Sequence, residues 1–398
     1  MGDADAIAVR IEPGMSGIDP VQWDACATRP GGRVPENPFL SHAFLRTLED
    51  AGCVGGRSGW LAQHLVIDGP DGRIAACMPC YVKSHSQGEY VFDHGWADAY
   101  ERAGGRYYPK LQVAVPFTPV PGPRLLVRPD LDRDLYRAIL LKGAIALAER
   151  YQTSSLHLTF LLKDDWEFLG QQGLLQRIDQ QFHWSNDGYE TFDDFLSALS
   201  SRKRKVIRRE RRAALESGIS IEQLTGARIS DAHWDAFHDF YMDTGSRKWG
   251  RPYLNRTFFS LLGERMADRV LLIMAKRDED YIAGALNLIG TDALYGRHWG
   301  CIEDHPFLHF EVCYYQAIDY AITHKLARVE AGAQGAHKLA RGYVPTTTYS
   351  AHWIADAGFR RAVADYLEHE RAHVCAEAEI LGTHVPFRKD GQGLDSDG

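Results

Sequence analysis

Val270-Leu-Leu-Ile-Met-Ala-Lys-Arg-Asp-Glu-Asp-Tyr-Ile-Ala-Gly-Ala-Leu-Asn-Leu-Ile289 is the stretch on which the fold turns. Two apolar runs, 270–276 and 281–289, flank Asp278-Glu-Asp280. That is turn chemistry between strand-like runs, and it predicts a β-hairpin. A further strand follows at 293–299, then a helix at 310–325 and a strand at 327–332. Upstream lie a basic helix over 201–216, a strand at 219–224 and helices at 231–244 and 254–266. Downstream come a helical turn near 337, a strand near 350–354 and an amphipathic helix over 359–381.

The first half reads in the same order. Strand 6–11, helices 21–27 and 41–50, a hairpin 61–67/74–82 around Asp68 to Gly72, and a strand at 90–92 come first. A helix at 131–150, a strand at 156–162, a helix near 165 and a strand at 175–184 complete it. The two hairpins share a local match, Ile74-Ala-Ala76 and Ile282-Ala-Gly284. A repeated β-α-α-β-β-β-α-β-α-β order predicts a mixed α/β chain of two similar domains, 1–190 and 191–382. They should meet near 186–202, each with its own sheet. One large α/β domain is the alternative. A Gly-, Pro- and aromatic-rich insertion, about 88–129, interrupts the first half, and the polar tail 383–398 reads as disordered.

Composition agrees. The 398 residues are 45% hydrophobic and 25% charged, ordinary globular usage, and exceed the about 150 residues of a single domain. Lys and Arg total 45 against 53 Asp and Glu, a net charge of −8, which excludes a general nucleic-acid coat. No apolar run approaches the about 20 residues of a membrane span. The start, MGDADAIAVR, is acidic where a signal peptide is basic. Seven scattered cysteines suit a reducing compartment, so a cytoplasmic protein is expected.

Some motifs carry little. His369-Glu-Arg-Ala-His373 has the zincin spacing, but it sits in a charge-dense final helix with no third ligand in reach, and a solvated helix face is the expectation. Cys77-Met-Pro-Cys80 lies inside a strand with no second pair, so buried thiols are expected there, and no metal site at all. No nucleophile elbow, P-loop or dinucleotide fingerprint is present. Three segments carry more. Ser201 to Arg212 holds eight cations in twelve residues and suits a phosphate-rich partner, with Arg204, Lys205 and Arg208 as phosphate ligands. No base-reading fold accompanies them, so DNA is not expected. The insertion offers Trp96, Tyr100, Tyr107 and Tyr108 to wall a groove, with Arg106 and Lys110 as anion anchors. The segment Gly332 to Tyr343 combines small residues with His337, Lys338 and Arg341 after a strand.

Asn37-Pro-Phe-Leu-Ser-His-Ala-Phe44, Gly88-Glu-Tyr-Val-Phe-Asp93, Tyr107-Tyr-Pro-Lys-Leu111, Pro116-Phe-Thr-Pro-Val120, Gln181-Phe-His-Trp184, Lys203 to Glu210, Leu308-His-Phe-Glu311 and Gly332-Ala-Gln-Gly335 resemble a bacterial family of peptidoglycan biosynthesis/recognition proteins, or predicted N-acyltransferases. That family is similar to the Fem aminoacyltransferases and belongs to the GNAT superfamily. The resemblance implies tandem GNAT-like domains and transfer of an acyl or aminoacyl group to an amine. The donor would be acyl-CoA or aminoacyl-tRNA, used as a co-substrate, with no tightly bound cofactor. The acceptor would be a small-molecule or peptide amine, and tRNA is a candidate partner. Lys338 resembles a phosphate-contacting Fem lysine. Ala336 departs from the family, where a carboxylate is expected, and the GNAT pyrophosphate signature cannot be read. A GNAT domain opens in a V between its parallel strands, here 293–299 and 327–332. The expected base is His309 or Glu311, with His298 nearby. The helix dipole lowers the basicity of Glu311, which favours His309. Substrate-binding candidates are Asp93, Trp96, Tyr107, Tyr108, Lys110, Gln334, His337, Lys338 and Arg341. A non-catalytic protein that recognises cell-wall precursors or other anionic glycans is the alternative.

Overall fold

The computed structural model describes residues 7–216, 218–248, 252–333, 335–383 and 385–387. Of the tail 383–398 expected to be disordered, 383 and 385–387 are described, and they depart from that expectation: Ser200 N donates to Pro386 O at 3.0 Å and Phe387 bridges Leu199; the rest lies outside the described residues. The first half supplies strands β1 (Val9–Glu12), β2 (Trp60–Ala62), β3 (His64–Asp68), β4 (Ile74–Met78), β5 (Cys80–Lys83), β6 (Lys110–Val113), β7 (Leu126–Val127), β8 (Ser155–Leu161) and β9 (Leu175–Ser185). The second supplies β10 (Ile219–Leu224), β11 (Val270–Arg277), β12 (Asp280–Ile289), β13 (Ala293–Cys301), β14 (Arg328–Glu330) and β15 (Val344–Ile354).

The deciding hairpin forms as the sequence requires. Arg277 pairs with Asp280, so Asp278 and Glu279 make the turn, and Asp278 adopts φ 56°, a region Asp tolerates. In the first half the long hairpin changes sheet midway. Pro79 has no N–H to give a ladder, and Gln63 opposite donates to Cys80 O at 2.8 Å. The outer part, β3 and β4, joins a four-stranded sheet with β1 and β7, while β2 and β5 join the main sheet.

That main sheet corrects the expectation of two separate ones. Eleven strands run in the order β10-β11-β12-β13-β14-β9-β15-β8-β6-β5-β2. Each half keeps its parallel pair, β6 with β8 and β13 with β14. Each then lends its next long strand to the other. β9 of the first half pairs with β14, β15 of the second pairs with β8, and the two guests pair with each other from Val344↔His183 to His352↔Leu175. Composition of the link at 186–200 gave no hint of this, because a strand's partner is not written in its periodicity.

Other elements fall close to expectation. The strand expected at 90–92 does not form, and the insertion contains a helix, His94–Arg102, and β6 instead. The halves also meet through an aromatic core: Phe39 packs edge-on against Tyr295 at 5.6 Å and Phe44 against Phe258 at 6.0 Å. At Gly300 the helix Asp231–Lys248 comes so close that a Cβ would lie 2.2 Å from Phe240 O, which is why glycine stands there.

Candidate active site

β13 and β14 pair only through Ala293↔Arg328, Leu294↔Val329 and Tyr295↔Glu330. Beyond this rung β13 continues along β12, while Ala331 N donates to Phe182 O at 3.1 Å. The strands therefore part, and the opening lies where the sequence placed it. A β-bulge sits at the fork. Leu286 faces His298 but Asn287 faces Gly296, so Arg297 is the extra residue on β13. A bulge re-aims side chains. Arg297 Nη2 donates to Phe117 O of the first half at 2.6 Å, and the His298 ring meets Tyr241 edge-on at 5.0 Å. Trp299 instead packs against His309 at 5.1 Å. A cavity of about 120 Å³ opens here, lined by Asn287, His298, Trp299, His309, Tyr314 and Ala331 among others.

His309 enters from the helix after the fork. Leu308–Phe310 is α-helical, Glu311–Tyr315 is a π turn, and Gln316–Thr323 is α-helical again. Such wide turns cluster at functional sites. The His309 ring lies 5.4 Å from that of Tyr314 and 6.2 Å from that of His337. Tyr314 Oη and His337 Nε2 are 3.0 Å apart. Burial, then Arg341 and Lys338, lower the His337 pKa, while burial and then Arg297 hold His298 well below the ordinary 6.5, so its imidazole is neutral.

Three expected roles need correction. Glu311 is fully buried, accepts from Arg211 Nη2 at 3.0 Å and Nε at 3.1 Å, and accepts from Gln316 Nε2 at 2.7 Å. It holds the basic helix, Ser201–Ala214, against the fork, and both its oxygens are committed to these partners. Lys338 Nζ donates to the carbonyls of Ala331 at 2.5 Å and Gly332 at 3.1 Å, so it closes the fork's second arm internally instead of reaching for phosphate. Burial lowers its pKa to about 8. Arg341 pairs with the buried Glu210 at 2.8 Å and lies 3.4 Å over the Phe310 ring. Among the described candidates of this turn only His337 is exposed, with its Nε2 against Tyr314 Oη. Gln334 lies outside the described residues.

Glu210 and Glu311 thus pin one side of the basic helix, and the other side carries charge outward. Lys205 and Arg208 are exposed and Arg204 is half-buried. Arg208 pairs with Asp193 at 2.9 Å, and among the described residues Arg202, Arg204, Lys205, Arg209 and Arg212 form no ion pair. The helix borders the π turn and the 3-10 turn Ala336–Arg341, so this cationic face flanks the fork.

The insertion's candidates do come together, but inside the first half and not around an open groove. Asp93, Trp96, Tyr107 and Lys110 are buried, and Tyr108 is half-buried. Lys110 Nζ lies 2.5 Å from Asp93, 2.6 Å from Glu89 and 2.7 Å from Ser86 Oγ. Tyr107 Oη donates to Asp93 at 2.6 Å, and His157 Nδ1 meets His352 Nδ1 of β15 at 2.7 Å. Although burial opposes it, the Lys110 ammonium holds the Asp93 carboxyl well below the usual range. Burial lifts Glu89 to about 7 and drops Lys83 to about 7 and His157 to about 3. The network locks the guest strand β15 into the first half.

Elsewhere Glu370 of the zincin-like motif is taken by Arg177 at 2.6 Å, and Cys77 and Cys80 are buried, unpaired thiols. No group of metal-ligating residues occurs among the described residues. None of their helices is long and apolar enough to cross a membrane.

Sequence reasoning missed Glu330, at the last closed rung. It is buried, Arg328 Nε donates to its Oε1 at 2.9 Å, and its Oε2 has no hydrogen-bond partner among the described residues. Burial outweighs Arg328 and lifts its pKa to about 7. His183 Nε2 stands 3.8 Å away, driven to about 3 by burial and then by Arg328 and Lys338. The only signal in the sequence was a single carboxylate at the end of the short strand 327–330, followed by small residues.

Solved structures share this architecture at low identity. FemX matches with a TM-score of 0.56 at 13% identity, over 87% of this chain and 98% of its own. The C-terminal domain of a putative lysylphosphatidylglycerol synthetase from Agrobacterium fabrum matches at 0.54 and 9%, over 87% and 94%. A conserved protein of unknown function from Bacteroides thetaiotaomicron matches at 0.51 and 11%, over 88% and 100%. No curated protein sequence matches significantly. The fold is tandem GNAT-like with exchanged strands. The FemAB-like family, described as peptidoglycan biosynthesis/recognition, matches residues 14–389, and the chain belongs to it.

Proposed function

We propose that this protein transfers an acyl or aminoacyl group from an activated donor, acyl-CoA or aminoacyl-tRNA, to an amine of a cytoplasmic cell-wall precursor. One observation carries the reading: a parallel strand pair that forks beside a bulge, with His309 in the opening and an outward cationic helix alongside. Such a reaction asks for placement, carbonyl polarisation and removal of one proton. Beyond Tyr295 the backbone of β13 that faces the fork has no strand partner, and it supplies dipoles for the carbonyl oxygen. The amine nitrogen bonds to the carbonyl carbon, the bond to the donor's sulfur or oxygen breaks, the amine proton passes to His309, and the leaving group takes up a proton. The donor's phosphates lie along Arg204, Lys205 and the helix face they share. Metal and tightly bound cofactors play no part in the proposal.

The test is turnover. Purified protein is incubated with a radiolabelled acyl-CoA or aminoacyl-tRNA and nucleotide-linked muropeptide precursors. Label in the precursor is expected from one donor. Precursor binding without transfer from either donor would replace the enzyme by the recognition protein.

A further inference from the structure

A cavity of about 400 Å³ lies between the two halves, away from the fork. Its size is in the range of small-molecule sites. The walls are apolar: Pro30, Pro121, Pro123, Leu125, Leu131 and Leu162 contribute. At one end stand Tyr295, Asp292 and Arg328, from the start of the parallel pair. The register pair Tyr295↔Glu330 is the last closed rung and separates this end from the fork.

Polar groups at that end are left over after internal pairing. The Tyr295 side chain is 2% exposed, and its hydroxyl has no hydrogen-bond partner among the described residues. Asp292 Oδ2 accepts from Arg328 Nη1 at 2.6 Å, whereas the buried Asp292 Oδ1 has no hydrogen-bond partner among the described residues. Buried oxygens are nearly always satisfied, and an orphan beside a cavity points to something that fills it. Charge narrows the choice. The guanidiniums near this end are both occupied, Arg29 by Glu36 and Asp292, and Arg328 by Asp292 and Glu330. At the other end Arg128 pairs with Asp71 and Asp130, and Arg133 with Asp164 and Asp165. Each cation on the wall is already matched by carboxylate, so an anion finds no free partner. The open acceptors ask for a donor.

We propose that this interlobe cavity binds an organic ammonium: an apolar body against the proline and leucine walls, with the ammonium on Asp292 Oδ1 and the Tyr295 hydroxyl. The site does not depend on the transfer reaction, because binding is read without donor or turnover.

Isothermal titration of the full chain with 3-phenylpropylamine tests it, with 3-phenylpropanol and 3-phenylpropionate as matched probes. The amine should bind at least about tenfold more tightly than either, since a charge-assisted bond is lost in both. Asp292→Asn should cost the amine about tenfold and leave the alcohol unchanged. Because Asp292 also pairs with Arg328, Tyr295→Phe serves as a second variant that keeps every ion pair, and it should weaken the amine about threefold. Leu162→Trp, at a half-open wall position, should abolish binding of all probes. Equal affinity for amine and alcohol, or unchanged amine affinity in both Asp292→Asn and Tyr295→Phe, would overturn the proposal.

Discussion

Replacing Glu330 by Gln keeps the side chain's shape and removes its charge. In the folded protein burial lifts this carboxyl from the ordinary 4.5 to about 7 despite Arg328. A raised carboxyl binds its proton more tightly when folded, so its contribution to stability is full below the unfolded value and is lost as pH rises through the folded one. The interval of about 2.5 units, at about 1.4 kcal/mol each, makes the loss about 3 kcal/mol. Most of it, roughly 2–3 kcal/mol, falls between about pH 5 and pH 8.5. Gln carries no such dependence. Urea unfolding of both proteins at those two pH values measures the difference, and groups common to both cancel. The variant should gain on the wild type by roughly 2–3 kcal/mol as pH rises, with unchanged m-values. A constant gap would mean that the Arg328 pair keeps Glu330 ionised at both values. A gap that moves the other way would show that the ion pair stabilises more than burial costs. Either result would refute the reasoning from burial.

Three further outcomes are expected. His309→Ala should lower kcat by about 10²-fold or more with an unchanged circular dichroism spectrum; a loss under about tenfold would leave placement and backbone polarisation as the mechanism. Arg204→Glu with Arg208→Glu should weaken donor binding and flatten its dependence on salt, read from titrations at several ionic strengths. Unchanged affinity for both tRNA and CoA would leave the helix face a merely solvated one. Lys110→Met strips the counter-ion from Asp93 and Glu89 inside the first half and should destabilise by about 3–5 kcal/mol, measured by thermal and urea unfolding.

The second-half hairpin and the fork were legible because strand periodicity, acidic turn chemistry and a following helix are local signals. So was the basic helix, whose Arg and Lys density stands out of an acidic chain. The exchange of β9 and β15 was not legible, since both strands read identically whether they pair at home or away. Glu311 and Arg341 show a second limit. Their residue types suit catalysis and phosphate binding, but Arg211 and Glu210, distant in sequence, consume them. Lys110 failed the same way: a cation among aromatics reads as a groove anchor until Asp93 and Glu89 appear against it. Glu330 escaped notice because a single buried carboxylate leaves no periodic trace.

The exchanged strands set a timetable for biosynthesis. β8 ends at Leu161, yet the strand that covers its edge, β15, ends at Ile354, 354 − 161 = 193 residues later. At about 5–20 residues per second, a ribosome needs about 10–40 s to make that stretch. Throughout that interval the nascent first half carries a strand, buried along its whole length in the finished fold, with one edge bare, the kind of edge that recruits other chains. The protein therefore matures as a single late event in place of two successive ones. A gene fragment ending near residue 190 would yield aggregated material, rescued only when the remainder is supplied in the same cell.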